Sequence, residues 1–215
     1  MGLFVLYYRP KISGSGPGIV SRIQPNVSMR TTEESPWKIL SSKEIYDNPW
    51  ISVTEHQVVN PAGGKGIYGQ VHFKNLAIGD IVLDENENTW LVGQYRFPLN
   101  QYSWEIPEGG GPHDKDPLVS AKRELKEETG IEAEKWSEIQ RIHLSNSVSD
   151  ELGIIYLAQD LRYGESTPEE TEQLQVSKLP LEDVFRMVED GQITDSLSVA
   201  AILKLQVWKL QGKLQ

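Results

Sequence analysis

The 215-residue sequence contains no cysteine. That excludes disulfides, thiol nucleophiles, and cysteine-ligated zinc or iron–sulfur centres. It also lacks any apolar run near the roughly 18 residues that a membrane-crossing helix requires, so no transmembrane segment and no membrane partner are expected. Histidine is scarce: His56, His72, His113 and His143 are scattered without metal-ligand spacing and are read as surface or core residues. Positive charge is in deficit, with 21 Lys and Arg against 31 Asp and Glu and a net charge of −10. A general nucleic-acid binder needs a basic footprint to displace counterions, so nucleic acid is set aside as a partner. An anionic substrate is compatible with this balance if local arginines or divalent cations offset the field.

The charge is unevenly spread. Residues 1 to 30 hold Arg9, Lys11, Arg22 and Arg30 and no acid, which leaves the remainder at −14. In "LFVLYYRPKISGSGPGIVSRIQP" the basic residues follow the short apolar patch instead of preceding it, a poor secretory signal. Residues 1–35 are read as a flexible or artefactual extension, with Met29 as an alternative start; a transit peptide is the weaker reading, and cytoplasm is the default location. The length suits one sizeable domain with its own core.

From Trp37 onward the chain reads as strands. "WKILSS", "WISVTEHQVV" and "IYGQVHFK" alternate β-branched and aromatic residues with polar ones, and "NPAGGKG" is a turn. "LAIGDIVLD" and "TWLVGQYRF" flank the polar connection "ENEN", which suits a hairpin. Further strands are expected at "WSEIQRIHL" and "GIIYLAQDL", and helices at "PLEDVFRMVEDG" and from about Asp195 to Leu210. Strands come first and helices are inserted between them without βαβ alternation, which gives an α+β class, a sheet–helix sandwich.

The best-specified helix covers residues 117–129. Asp116 is a suitable N-cap, Pro117 fits the first helical position, and Gly130 supplies the left-handed stop. Leu118, Ala121, Leu125 and Thr129 form a stripe for burial, while Glu124, Glu127 and Glu128 fall at i, i+3 and i+4 on a separate face. Like charges at that spacing cost roughly 0.2–0.5 kcal/mol per pair. Two readings follow. Either Lys122, Arg123 and Lys126 relieve a solvated face, or the carboxylates collect Mg²⁺ or Mn²⁺, hard ions that bridge protein to phosphate. The preceding loop "WEIPEGGGPHDKDP" favours the second, because glycines let backbone groups approach an ion or phosphate just before a helix N-terminus.

Here the residues resemble the Nudix hydrolase family, whose box reads G-x5-E-x7-R-E-U-x-E-E-x-G-U with U aliphatic. Gly109, Arg123, Glu124, Leu125, Glu127, Glu128, Gly130 and Ile131 fit, whereas Lys115 stands at the family's first glutamate. In the family that glutamate supports loop and helix, so the departure bears on support and on one metal's affinity. "LVGQYRFP", "WEIPEGG" and "SVSDELGIIYLAQDL" extend the resemblance to the ADP-ribose and nucleoside-diphosphate-sugar pyrophosphatase branch. That branch implies an α/β/α sandwich around a mixed sheet, an N-terminal strand region at 36–75 and a catalytic domain at 76–215. It also implies a homodimer formed through the N-terminal strands.

The implied reaction is hydrolysis of the pyrophosphate of a nucleoside diphosphate sugar, such as ADP-ribose or GDP-mannose, to a nucleoside monophosphate and a sugar phosphate. Mg²⁺, or Mn²⁺, would be held by Glu124, Glu127 and Glu128, by the backbone carbonyl of Glu108, and secondarily by Glu151. Arg123 would orient the glutamates. In the acidic stretch "STPEETEQLQV", Glu170 is the first choice for the base that activates water, with Glu169 and Glu172 as runners-up. Arg96 would meet the diphosphate with its planar donor fork. Glu105 would line the substrate site, and Trp37, Trp50, Tyr95 and Trp104 are candidates for stacking or for the dimer. The alternatives are a Nudix-fold sensor that binds a nucleotide sugar without cutting it, or a hydrolase of another nucleoside diphosphate or a damaged nucleotide.

Overall fold

The structure is a computed structural model and describes residues 34–166 and 174–214. Glu169, Glu170 and Glu172 lie outside the described residues, as does nearly all of the 1–35 extension. The three early stretches form one antiparallel sheet in the order β1 (Lys38–Asp47), β2 (Ile51–Val59) and β3 (Lys65–Phe73). Asn48 shapes the first turn: its Oδ1 accepts from the amides of Trp50 and Ile51, both at 2.8 Å. Asn60 does the same for the second, accepting from Ala62 and Gly64 at 3.0 and 2.9 Å. Residues 145–150 join the free edge of β3, where the Val71 amide donates to the Val148 carbonyl at 2.8 Å.

The remaining elements are β4 (Asn75–Val82), β5 (Asn88–Arg96), β6 (Gln101–Glu105), β7 (Glu108–Pro112), α1 (Pro117–Thr129), β8 (Ile131–His143), β9 (Leu152–Tyr163), β10 (Gln175–Pro180), α2 (Leu181–Glu189) and α3 (Ser196–Leu210). A four-stranded mixed sheet runs β7-β4-β9-β8, with β4 and β9 parallel, and a second, antiparallel sheet runs β10-β5-β6. Along β4 the side chains alternate. Ile81, and Leu83 just past the strand's end, enter the larger core with Leu91, Ile155, Val184, Phe185 and Ile202, while Ile78 and Val82 meet Ala121 and Leu125 of α1. Helices therefore cover both faces of the mixed sheet, the expected α+β sandwich. No described helix is long and apolar enough to cross a membrane.

Two expectations need correction. The glycine-rich segment before α1 is in large part the edge strand β7, paired from Asn75↔Pro112 to Gly79↔Glu108. Backbone pairing alone makes it a strand, and glycine carries no side-chain periodicity that would announce one. β8 also starts at Ile131, directly after the helix stop, instead of near Trp136.

The helix itself forms as its ends dictate. The Asp116 carboxylate accepts from the Leu118 amide at 3.0 Å, and Gly130 takes φ 72°, its N–H donating to the Lys126 carbonyl at 2.9 Å. Its buried side differs from the expected stripe: Ser120 and Glu128 are buried with Ala121 and Leu125, while Leu118 and Thr129 are half-buried. Glu128 is only 3% exposed and belongs with Ala121 and Leu125, not on a separate solvent face.

Candidate active site

α1 lies across β7 so that its carboxylates reach the strand's backbone. The Glu128 Oε2 accepts from the Glu108 amide at 3.0 Å. Glu124 comes so close to Gly109 that a Cβ there would fall on its carboxylate, so only glycine permits the approach. Arg123 fastens the two elements: its Nη2 donates to Glu124 Oε1 at 2.6 Å and to the Gly110 carbonyl at 3.0 Å, and its Nη1 to Glu127 Oε2 at 2.7 Å. Burial works against the Arg123 charge, but the field of Glu124 and bonds to Glu127 and Glu124 outweigh it and raise its pKa.

Beside this unit stands Arg96 at the end of β5. Its Nε donates to both oxygens of Glu105 at 3.0 Å, and its Nη2 donates to Glu108 Oε1 at 2.6 Å. Glu105 is 2% exposed, so it serves as the buried anchor of Arg96, and the site face it was assigned is presented by the arginine. Burial opposes the Arg96 charge; the bond to Glu105 and the charges of Glu108, Glu105 and Asp195 overcome it and raise the guanidinium pKa. Burial also pushes the Glu108 carboxyl well up, with Asp195 and Glu105 adding to the shift and Arg96 opposing it. Glu108 Oε2 is buried without a hydrogen-bond partner.

Two depressions flank Gly109 and Gly110. One, about 390 Å³, is lined by Trp50, Asn75, Arg96, Glu108 and Glu151 among others. The second, about 380 Å³, adds Arg123, Glu124 and Glu127 and shares Trp50 and Asn75. Most of the expected site residues thus meet along one groove. Glu151 is half-buried there, its pKa raised by burial, then by Asp195 and Asp150. Trp37 does not join it within the chain; it lies edge-on to Tyr68, ring centroids 5.2 Å apart, in a separate depression with Ile39, His56 and Gln70. Lys115 is exposed in the turn before α1, and Asp116 is committed to the helix cap.

Asp80 and Asp195 were missed. Asp195 caps α3, accepting from the Ser198 amide at 2.8 Å, and its charge reaches Glu108, Arg96 and Glu151. Asp80 is 0% exposed, and neither carboxyl oxygen has a hydrogen-bond partner. Burial, followed by the charges of Glu128 and Glu124, raises its pKa well above the ordinary value. A signal existed: in "LAIGDIV" a charge occupies the apolar phase of a strand.

The donor set suits a hard divalent cation. Among the residues lining the two depressions are Glu108, Glu124, Glu127 and Glu151 and neither histidine nor a sulfur-bearing side chain, and one buried oxygen of Glu108 lacks a partner. The ligands are not preassembled: among the described residues no three His, Asp or Glu side chains already stand in a metal-holding group. Arg123 holds Glu124 and Glu127 instead, each through one oxygen.

The architecture is one already seen in a solved structure described as an ADP compounds hydrolase, which superimposes with a TM-score of 0.74 at 21% identity, covering 86% of this chain and all of that one. Residues 74–197 match the NUDIX domain, and residues 37–71 match the nucleoside diphosphate sugar hydrolase N-terminal domain. The chain belongs to the Nudix family, on its ADP-ribose and nucleoside-diphosphate-sugar pyrophosphatase branch, and is a pyrophosphatase of that class. Among its relatives, the ADP-ribose pyrophosphatase of Bacillus subtilis is 29% identical over 83% of this chain and 96% of its own length. The ADP-ribose pyrophosphatase of Mycobacterium tuberculosis is 31% identical over 79% of this chain and 83% of its own. Nudix hydrolases generally use divalent metal ions.

Proposed function

We propose that the protein hydrolyses the pyrophosphate of a nucleoside diphosphate sugar, ADP-ribose first among candidates, to a nucleoside monophosphate and a sugar phosphate with Mg²⁺. The observation that carries this reading is the convergence of Glu124 and Glu128 on the backbone of Glu108 and Gly109, beside Arg96. When bound, Mg²⁺ neutralises the diphosphate and polarises the attacked phosphorus. Glu124, Glu127, Glu128 and the Glu108 carbonyl would hold it, with Glu151 across the groove. Mn²⁺ would fit the same oxygens.

The chain's own residues supply the rest. Arg96 meets the diphosphate through Nη1, which takes no part in its bonds to Glu105 and Glu108. Those two carboxylates keep the guanidinium in one orientation, so binding spends little on ordering it. Arg123 keeps Glu124 and Glu127 against β7. Trp50, 68% exposed and lining both depressions, offers a flat surface to the base or sugar. Glu170 is assigned as the base for the attacking water. A homodimer through β1–β3 would bring each partner's Trp37 toward the other's groove.

A panel of ADP-ribose, GDP-mannose, ADP-glucose, UDP-glucose and dinucleoside polyphosphates, assayed with Mg²⁺ for released monophosphate, tests the reading. ADP-ribose turnover is expected, and silence on the whole panel would end it. Glu124→Gln is expected to lower turnover roughly 100-fold or more by weakening metal binding. Glu170→Gln should slow turnover with metal affinity retained; parental activity would sink the base assignment.

A further inference from the structure

Asp150 and Glu151 are neighbours in sequence that serve different surfaces. Glu151 lines the groove with Arg96, Glu108 and Phe73. Asp150 turns instead to the end of β3, where its Oδ1 accepts from the Phe73 amide at 3.0 Å and its Oδ2 from His72 Nδ1 at 2.6 Å. Burial works against the Asp150 charge, but the bonds from His72 and from the Phe73 amide outweigh it and lower its pKa. An exposed ion pair with His72 would by itself contribute little. The second bond, to a backbone amide, is what fixes the direction of the chain.

These two bonds close a longer seam. The Asp150 amide donates to the Val71 carbonyl at 3.3 Å, and the Tyr68 hydroxyl donates to the Ser147 carbonyl at 2.5 Å. On the other side the Glu151 carbonyl accepts from the Leu144 amide at 3.3 Å, just before the chain enters β9. The backbone of Glu151 is therefore held from both directions. Its carboxylate is not: burial and the charges of Asp195 and Asp150 act on it, and among the described residues no hydrogen bond does. Where that carboxylate stands follows from its backbone. The same end of β3 is also tied to the entry of α1, because His113 Nε2 donates to the Phe73 carbonyl at 3.0 Å and the His113 ring stacks on His72, centroids 6.3 Å apart.

We propose that Asp150 is the positioning residue for Glu151, fastening residues 145–150 to β3 so that the next side chain enters the groove at a fixed place. The assignment rests on the reading above, in which Glu151 serves the site. It makes the N-terminal sheet part of the catalytic apparatus within a single chain: β3 holds Asp150, and Asp150 sets Glu151. Supporting contacts of this kind decide whether a carboxylate is already in place when substrate arrives.

The test is a double-mutant cycle in the full-length protein, with kcat and KM for ADP-ribose measured in Mg²⁺ for the parent, Asp150→Ala, Glu151→Gln and the double variant. Asp150→Ala is expected to lower kcat by about tenfold, with KM changed by less than about twofold. In the Glu151→Gln background the same change should cost less than about twofold, because Asp150 acts through Glu151. Losses that multiply instead would overturn the proposal and leave Asp150 a purely structural residue. Asp150→Asn, which keeps an oxygen for the Phe73 amide, should recover most of the loss. Hydrogen exchange reads the clip apart from turnover: the Phe73 amide should exchange faster in Asp150→Ala, and unchanged protection also overturns the proposal. Should Asp150→Ala fail to fold, His72→Phe, which removes one of the two bonds, carries the same cycle. Parental kcat in Glu151→Gln would sink the proposal while leaving the pyrophosphatase reading, which rests on Glu124, Glu128 and β7. A parent silent on the whole substrate panel ends both.

Discussion

Gly109 matters for what it lacks. The Glu124 carboxylate occupies the space a side chain would need, so Gly109→Ala must push Glu124 away or move β7. Turnover is expected to fall by roughly 10–100-fold, the range seen when a ligand's supporting contacts are lost, with the folded state preserved by circular dichroism. Unchanged kcat would show that Glu124 acts elsewhere. At this scale the sequence was partly legible. Arg123, Glu124, Glu127 and Glu128 could be picked out by helical spacing between two marked ends. The burial of Glu105 and Glu128 could not, because it depends on Arg96 nine positions away across a hairpin and on an amide in β7. Trp37 and Trp50 looked alike in sequence, and only their places in the early sheet separate them.

Elements follow their local chemistry, and the β4–β5 turn shows it. Asp84 accepts from the Asn86 and Asn88 amides at 2.9 and 2.7 Å, and Lys178 of β10 pairs with it at 2.8 Å. Burial alone would raise its pKa, but the bonds from Lys178 and Asn88 bring it down to about 2 from an ordinary 3.8. A folded value below the unfolded one means stability present above about pH 4 and lost as pH falls toward about 2, worth about 2 kcal/mol. Asp84→Asn is expected to be less stable than the parent at pH 7 by about that amount, and the gap should close at pH 2–3 in urea titrations. A constant gap would place the effect outside this carboxylate. Alternating strands and a capped helix were legible because period and end chemistry are local. β7 was hidden because its three consecutive glycines have no side chains to alternate, and β10 because it pairs with β5, which lies more than eighty residues upstream.

As a whole, the molecule carries a net charge of −10 and a sheet that shows apolar residues to solvent. Every residue of β1 is exposed, and Ile39, Leu40, Ile45 and Tyr46 are among the large ones. The proposed homodimer would cover this patch. Light scattering at micromolar concentration is expected to give twice the 24.3 kDa of the chain, and Leu40→Glu should shift it toward one; a monomeric parent would remove the crossed-strand arrangement. β7 has a different consequence for the assembled protein. Among the described residues this edge strand pairs only with β4, and its glycines add no side-chain packing of their own, so beyond that pairing its order rests on the helix carboxylates that lean on it. Its amides therefore act as a gauge of the site. Hydrogen exchange at Gly109–Gly111 should slow when Mg²⁺ is added and stay fast in Glu124→Gln, which would report the state of the active centre with no substrate present.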